Sequence, residues 1–209
     1  MSRPTRRSYH SAIRQRQAEE TRRRIAEAAR RLLLTKGYAG TTIEAVARKA
    51  GVAPQTVYAV FHSKRGILTD LMDRATFGPA YRDLVEQALN TEEPSARLRF
   101  AARIARQVHD SYRAELDLLR GAGVVAPELA ALERERERRR FEAQKPMIDY
   151  LVEAGRLRPD LNAARAREIL WALTGRELYR MLVVERDWGS DRYEEWLADL
   201  LVSALINPR

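Results

Sequence analysis

A glycine set between two short apolar-faced segments constrains this chain more than any other feature. In Thr41–Lys64, TTIEAVARKAGVAPQTVYAVFHSK, Ile43, Val46 and Ala47 recur at helical spacing, then Gly51 interrupts the run. Thr41 is placed to cap the first segment, with Glu44 three residues on as the other half of a capping box. Glycine supplies the positive φ that a chain reversal needs, and Val52 follows as a small apolar plug. The second segment opens at Ala53-Pro54, where proline's missing N–H costs nothing in a first helical turn. Val57 and Phe61, four apart, form its inner face and leave Gln55, Thr56, Tyr58 and His62 on others. Helix, glycine turn and short polar-faced helix is the pattern of a helix-turn-helix, whose second helix enters the DNA major groove.

Further residues agree with that pattern in register. A basic helix ends in Leu34-Thr35-Lys36-Gly37-Tyr38, followed by Thr41-Thr42, Ala50-Gly51-Val52, Thr56-Val57-Tyr58, Phe61 and Ser63-Lys64. Over about residues 19–70 this order resembles the N-terminal domain of the TetR/AcrR family of bacterial transcriptional repressors. The chain departs from the family at Gly66, where a better helix former is usual, and at Ala59-Val60, which replaces an aromatic or polar pair. Gly66 therefore reads as a loosened helix start. The resemblance implies backbone-contacting roles for Thr42, Tyr58, His62 and Lys64. Gln55 and Thr56, beside Pro54 in the first turn, are placed to meet base edges.

Charge places the nucleic-acid end of the chain. Residues 1–64 hold 14 Lys/Arg against 4 Asp/Glu, a balance of +10, whereas the remainder carries 24 against 25, or −1. A basic module joined to a neutral one is the electrostatic footprint of phosphate binding. Residues 1–18 contain five arginines and no acid. They read as a basic flexible arm, with Arg3, Arg6 and Arg7 as phosphate or minor-groove contacts. The helix-turn-helix domain is assigned to residues 19–64.

Residues 65–209 read as a larger helical domain for effector binding and dimerisation, so the fold class is all-α. Ser63 caps a helix through Ile67, Leu68, Leu71 and Met72 that links the two domains. Ser95 is placed to cap a long helix closed by Gly121 and Gly123, and Pro127 starts the next. Pro146 predicts a kink or boundary. The run ERERERRR, Glu133–Arg140, alternates signs as solvated helix faces do. Two final helices, about 163–186 and 191–206, are joined by Asp187-Trp188-Gly189-Ser190, short enough to make them antiparallel. They resemble the paired helices that form a four-helix dimer interface in the family. Leu178, Leu182, Trp196, Leu200 and Leu201 are the candidate dimer contacts.

The aromatic and apolar residues Phe77, Tyr81, Phe100, Tyr112, Met147, Tyr150 and Trp171, with His109, are candidate ligand contacts in that domain. No catalytic constellation, phosphate loop or metal-binding spacing is found, so no enzyme, cofactor or metal is expected. The chain has no cysteine, which excludes disulfides and thiol chemistry. It has no run of about 18 apolar residues and no secretory signal, which points to a cytoplasmic protein without a membrane partner. Two functional readings stand. One is a ligand-responsive repressor that binds palindromic operator DNA as a homodimer and is released by a small molecule. The other is a helical assembly protein that binds nucleic acid non-specifically through its basic end.

Overall fold

The computed structural model describes residues 6–123 and 127–207, and within these the side chains of 6–13, 75, 76, 112 and 114–123 are not described. The described chain is all-α: α1 (Arg6–Lys36), α2 (Ile43–Ala50), α3 (Pro54–Phe61), α4 (Lys64–Thr76), α5 (Pro79–Leu89), α6 (Pro94–Gly123), α7 (Pro127–Ala143), α8 (Lys145–Glu153), α9 (Ala163–Leu173), α10 (Arg176–Tyr179), a π-helical turn (Arg180–Val184) and α11 (Ser190–Leu205). Among the described residues the only β-like pairing is one isolated bridge, Leu157 with Ile206. No described helix is long and apolar enough to cross a membrane.

The chain divides into two compact units, Met1–Asp73 with Ala114–Ala130, and Arg74–Arg113 with Ala131–Arg209. The division thus falls inside α4, α6 and α7, not at the 64/65 boundary. Ile67, Leu68, Leu71 and Met72 are all buried, so these four apolar side chains of α4 belong with the reader helices. From Arg6 onward the basic stretch expected as an arm is the start of α1, which has no glycine or proline to interrupt it.

In unit 1 the predicted inner face of α1 is buried, with Ile25, Ala29, Leu32 and Leu33 all at 9% exposure or less. Gly37 ends the helix at φ +68°. Unit 2 is built around Leu98, Ala102, Ile148, Leu151, Leu170, Tyr193, Leu197 and Leu201. Its α6 and α11 are also laced by ion pairs: Arg99 with Asp199, Arg103 with Glu194, and Arg106 with Asp191 and Glu194.

Several local expectations change. Helix α6 starts at Pro94, and the Glu93 carboxylate, not Ser95, accepts from the backbone N–H groups of Ser95 and Ala96. The expected helix over 163–186 is broken at Thr174-Gly175, where Gly175 takes extended dihedrals and Thr174 Oγ1 donates back to Leu170 O at 2.6 Å. The Pro146 boundary is present as the interruption at Gln144. On α7, Glu135 pairs with Arg138 and Arg139, all on an exposed face.

Candidate nucleic-acid interface

The turn between α2 and α3 is held by its own backbone and by one side chain from α1. Thr42, at φ −115° and ψ 156°, is the N-cap of α2, and its Oγ1 accepts from Ala45 N–H at 3.1 Å. Thr41 is not the cap. It is buried and donates its hydroxyl to Gly37 O at 2.8 Å, which leaves Glu44 one position out of capping-box register. Gly51 ends α2 at φ +65°, with Val52 N–H reaching Ala47 O at 3.0 Å. Arg24 donates Nη2 to Ala50 O at 2.6 Å and so satisfies one orphan carbonyl at the helix end.

Helix α3 then presents what the apolar spacing predicts. Val57 and Phe61 are buried, Gln55, Tyr58 and Ala59 are exposed, and Pro54 and Thr56 are half-buried. Tyr58 keeps 48% of its surface exposed, which is high for a large aromatic side chain in a folded unit. At the far end His62 is exposed and takes φ +63°, with its N–H on Tyr58 O at 2.8 Å. That left-handed residue turns the chain sharply into α4, where Ser63 Oγ accepts from Gly66 N–H at 3.0 Å as the expected cap.

The α3–α4 joint is tighter than a loosened helix start. A Cβ at Gly66 would lie 2.0 Å from Phe61 O, a backbone atom, so only glycine fits there. Arg22 of α1 braces the same joint. It donates Nε at 2.9 Å and Nη2 at 2.5 Å to Asp70 Oδ1 of α4, while its guanidinium lies 5.0 Å from the Phe61 ring centre. Lys64 is turned inward. Its Nζ donates to Tyr38 O at 2.5 Å and lies 4.0 Å from the Tyr38 ring centre, and burial lowers the ammonium's pKa. Neither Arg22–Asp70 nor Lys64–Tyr38 was visible in the sequence, since both join residues 26 or more positions apart.

Arg3 lies outside the described residues, and the side chains of Arg6 and Arg7 lie outside those described. Among the described residues of α1, Arg14, Arg16, Arg23 and Arg31 are exposed, with Arg23 paired to Glu20 and Arg31 to Glu27.

In unit 2 the candidate ligand residues fall into separate groups. Phe77 and Tyr81 form a T-shaped pair at 5.5 Å, with Phe77 exposed. Tyr150 donates its hydroxyl to Glu92 O beneath the Arg97 guanidinium, Met147 packs on the core, and Phe100 lies 5.0 Å under Arg103. The Tyr112 side chain lies outside those described. Trp171 joins Phe141 edge-on at 6.3 Å and donates Nε1 to Glu137 at 3.1 Å. His109 is 6% exposed, with Nε2 3.3 Å from Thr174 O, and burial holds its pKa down at about 4. Sequence reasoning missed the residues that gather around Thr174, namely Arg140 and Gln144. Arg140 closes the run read as a solvated helix face, yet it donates inward to Trp171 O and Thr174 Oγ1.

The candidate dimer residues also separate. Leu201 is fully buried in unit 2's own core, so it is a core residue and not a contact on the surface. Leu178, Leu182, Trp196 and Leu200 remain half-buried, beside Met181 at 47% and Val184 at 38% exposure.

Comparison with known proteins gives a consistent result. Residues 25–71 match the family described as bacterial regulatory proteins, tetR family. The HTH-type transcriptional regulator YdeS of Bacillus subtilis (strain 168) is 26% identical over 196 residues, covering 89% of this chain and 88% of YdeS. NalD, the secondary repressor of the MexAB-OprM multidrug efflux pump in Pseudomonas aeruginosa, superposes with a TM-score of 0.71 at 21% identity, over 93% of this chain and 100% of NalD. A SmeT–triclosan complex superposes with a TM-score of 0.72 at 18% identity, over 90% and 92% of the two chains.

Proposed function

We propose that this chain, a transcriptional regulator that belongs to the TetR family of bacterial regulatory proteins, is a cytoplasmic repressor that binds a palindromic operator as a homodimer and leaves it when a small molecule binds unit 2. The observation that carries the reading is α3. It is a short helix anchored by two buried side chains, with Gln55 and Tyr58 directed away from the core and Thr56 half-exposed between them. Gln55 pairs with an adenine edge, a contact worth about 1–3 kcal/mol of discrimination, while Thr42, Tyr58 and His62 hold the backbone. Arg3, Arg6 and Arg7 add phosphate or minor-groove contacts from the N-terminus. Lys64 contributes by tying the start of α4 to Tyr38 O.

A second copy of this chain is required by the geometry of reading. Helix-turn-helix readers take two half-sites related by a dyad, so two copies must be held in register. The apolar face with Met181, Val184, Leu178, Leu182, Trp196 and Leu200 is the surface that pairs. Release follows because α4, α6 and α7 each contribute to both units, so a ligand that prefers one arrangement of unit 2 biases unit 1. The coupling available is about 1–3 kcal/mol, a change of roughly 5–150-fold in operator affinity. Support for repression and for a small-molecule effector comes from the fold shared with NalD and with the triclosan-bound SmeT.

The test is a competition. A duplex recovered by selection from random sequence is bound by the full chain, and random DNA is added. The reading expects two chains per palindromic duplex and retention of the complex in excess random DNA. Complete displacement would favour the non-specific assembly protein instead.

A further inference from the structure

Helix α1 holds the reader helix at its entry and at its exit. On the entry side, Arg24 donates Nη2 to Ala50 O, one residue before the Gly51 turn. On the exit side, Arg22 donates Nε at 2.9 Å and Nη2 at 2.5 Å to Asp70 Oδ1, in the second turn of α4. Two positions along a helix rotate the side chain by about 200°, so the two arginines leave α1 on nearly opposite sides. Between these holds, α3 buries only Val57 and Phe61.

Dense packing does not fix the exit. An open cleft of about 510 Å³ lies there, walled by Val60, His62, Gly66 and Thr69 together with Arg22 and Asp70. The Arg22 guanidinium stands 5.0 Å over the Phe61 ring centre, so the bridge to Asp70 runs beside the side chain that anchors the end of α3. Phe61 O lies 2.0 Å from where a Cβ would stand on Gly66, which puts the end of α3 and the first turn of α4 in backbone contact as one piece. His62, inside that piece, holds φ +63°, a conformation that persists in a non-glycine residue only where its surroundings impose it. The bridge therefore sets the angle between α1 and the α3–α4 piece. Asp70 keeps 11% of its side chain exposed against 44% for Arg22, so it is placed to hold the guanidinium and not to meet DNA. Base reading is sensitive to such an angle, since a productive contact needs placement within about 0.5 Å and 10–20°. Phosphate attraction is long-ranged and carries no sequence information.

We propose that Arg22 and Asp70 are positioning residues for operator reading, whose bridge between α1 and α4 sets the tilt of α3 and with it the base preference carried by Gln55. The proposal rests on the operator-reading function above and adds to it two residues that act through α3.

The test compares the full chain with its Asp70→Ala, Asp70→Asn and Arg22→Lys variants on a duplex selected from random sequence and on random DNA of the same length. The readout is the ratio of the two affinities, from which any loss of folded protein cancels. Asp70→Ala is expected to lower affinity for the selected duplex about tenfold, within the range a base contact provides. Its affinity for random DNA should stay level or rise, because a negative charge has been removed. Asp70→Asn keeps an acceptor for Arg22 and should fall between the wild type and the alanine variant. Arg22→Lys keeps the charge but not the planar fork, so the ratio should drop several-fold with the salt dependence unchanged. In a Gln55→Ala background, Asp70→Ala should change the ratio by less than about twofold, since the contact it positions is already gone. Equal losses on both duplexes, equal gains on both, or a full tenfold loss in the Gln55→Ala background would each overturn the proposal. The functional reading fails separately. A wild-type chain with equal affinity for both duplexes would refute operator reading itself, whereas a selective wild type whose variants keep their selectivity would refute only the positioning role.

Discussion

Replacing Gly66 by alanine separates two opposite pictures of the α3–α4 joint. If the glycine merely loosens the start of α4, alanine should stabilise the helix by about 0.8–1 kcal/mol. The structure reverses the sign. The new Cβ would sit 2.0 Å from Phe61 O, and contacts under 3.0 Å are not tolerated without movement. The atom in the way cannot swing aside as a side chain would. Phe61 O accepts from Ser63 N–H at 2.7 Å, and the Phe61 ring is buried at 4% exposure beneath Arg22. Overpacking of this kind costs about 1–3 kcal/mol, and a backbone clash belongs at the upper end. Set against the propensity gain, the net loss is about 2 kcal/mol. For a domain of 60–100 residues that lowers the unfolding midpoint by roughly 8–16 °C. Calorimetry resolves the transition of unit 1, and operator binding should fall with it because His62 and the end of α3 are displaced. An unchanged or raised midpoint would refute the steric argument.

Other substitutions test the remaining assignments. Gln55→Ala should leave stability unchanged and relax base preference at one position of each half-site in a selection experiment. Lys64→Met should lower stability by about 1–2 kcal/mol in urea and weaken all DNA sequences alike, since Tyr38 O keeps only its bond from Thr41 N–H. Leu200→Glu should yield folded monomers by sedimentation. Leu201→Glu should instead abolish the helical signal of unit 2, because an unpaired charge would replace a fully buried leucine. His109 makes stability pH-dependent. Its folded pKa of about 4 lies below an unfolded value of about 6.5, so the unfolded chain binds the extra proton. The contribution is complete above about pH 6.5 and is lost as pH falls towards 4. That is about 2 kcal/mol by pH 5, and His109→Gln should flatten the slope in urea midpoints between pH 7 and 5.

The helix-turn-helix was legible in the sequence because its determinants are local. Gly51, Pro54, Val57 and Phe61 each act through neighbours within four residues, and local chemistry leaves a local pattern. Where reading slipped in this unit, it slipped by one residue or through a distant partner. Thr41 and Thr42 are both plausible caps, and only the bond from Thr41 to Gly37 O decides between them. Gly66 looked like a weakness because the carbonyl that requires it cannot be seen from spacing. Lys64 reads from the sequence as a DNA-backbone contact, and Tyr38, 26 residues earlier, carries no mark of the bond that turns it inward.

Unit 2 was less legible for a physical reason that also bears on function. Its apolar stripes were correctly read as helices, yet a stripe does not say whether a leucine faces its own core or a partner. Leu200 and Leu201 differ by about 100° around α11, and that angle alone decides between a surface that can pair and a position that cannot. The polar centre was hidden more deeply still. His109, Arg140 with Gln144, and Thr174 come from three separate stretches, and none lies in a spacing that chemistry would require along the chain. A reader of DNA meets a ligand of nearly constant shape, so a single local motif suffices. A small-molecule site is assembled from side chains that only the tertiary fold brings together, and each can change without disturbing the helices that carry it. Thr174 thus draws on side chains 30 to 65 positions away in the sequence, and only the fold puts them together.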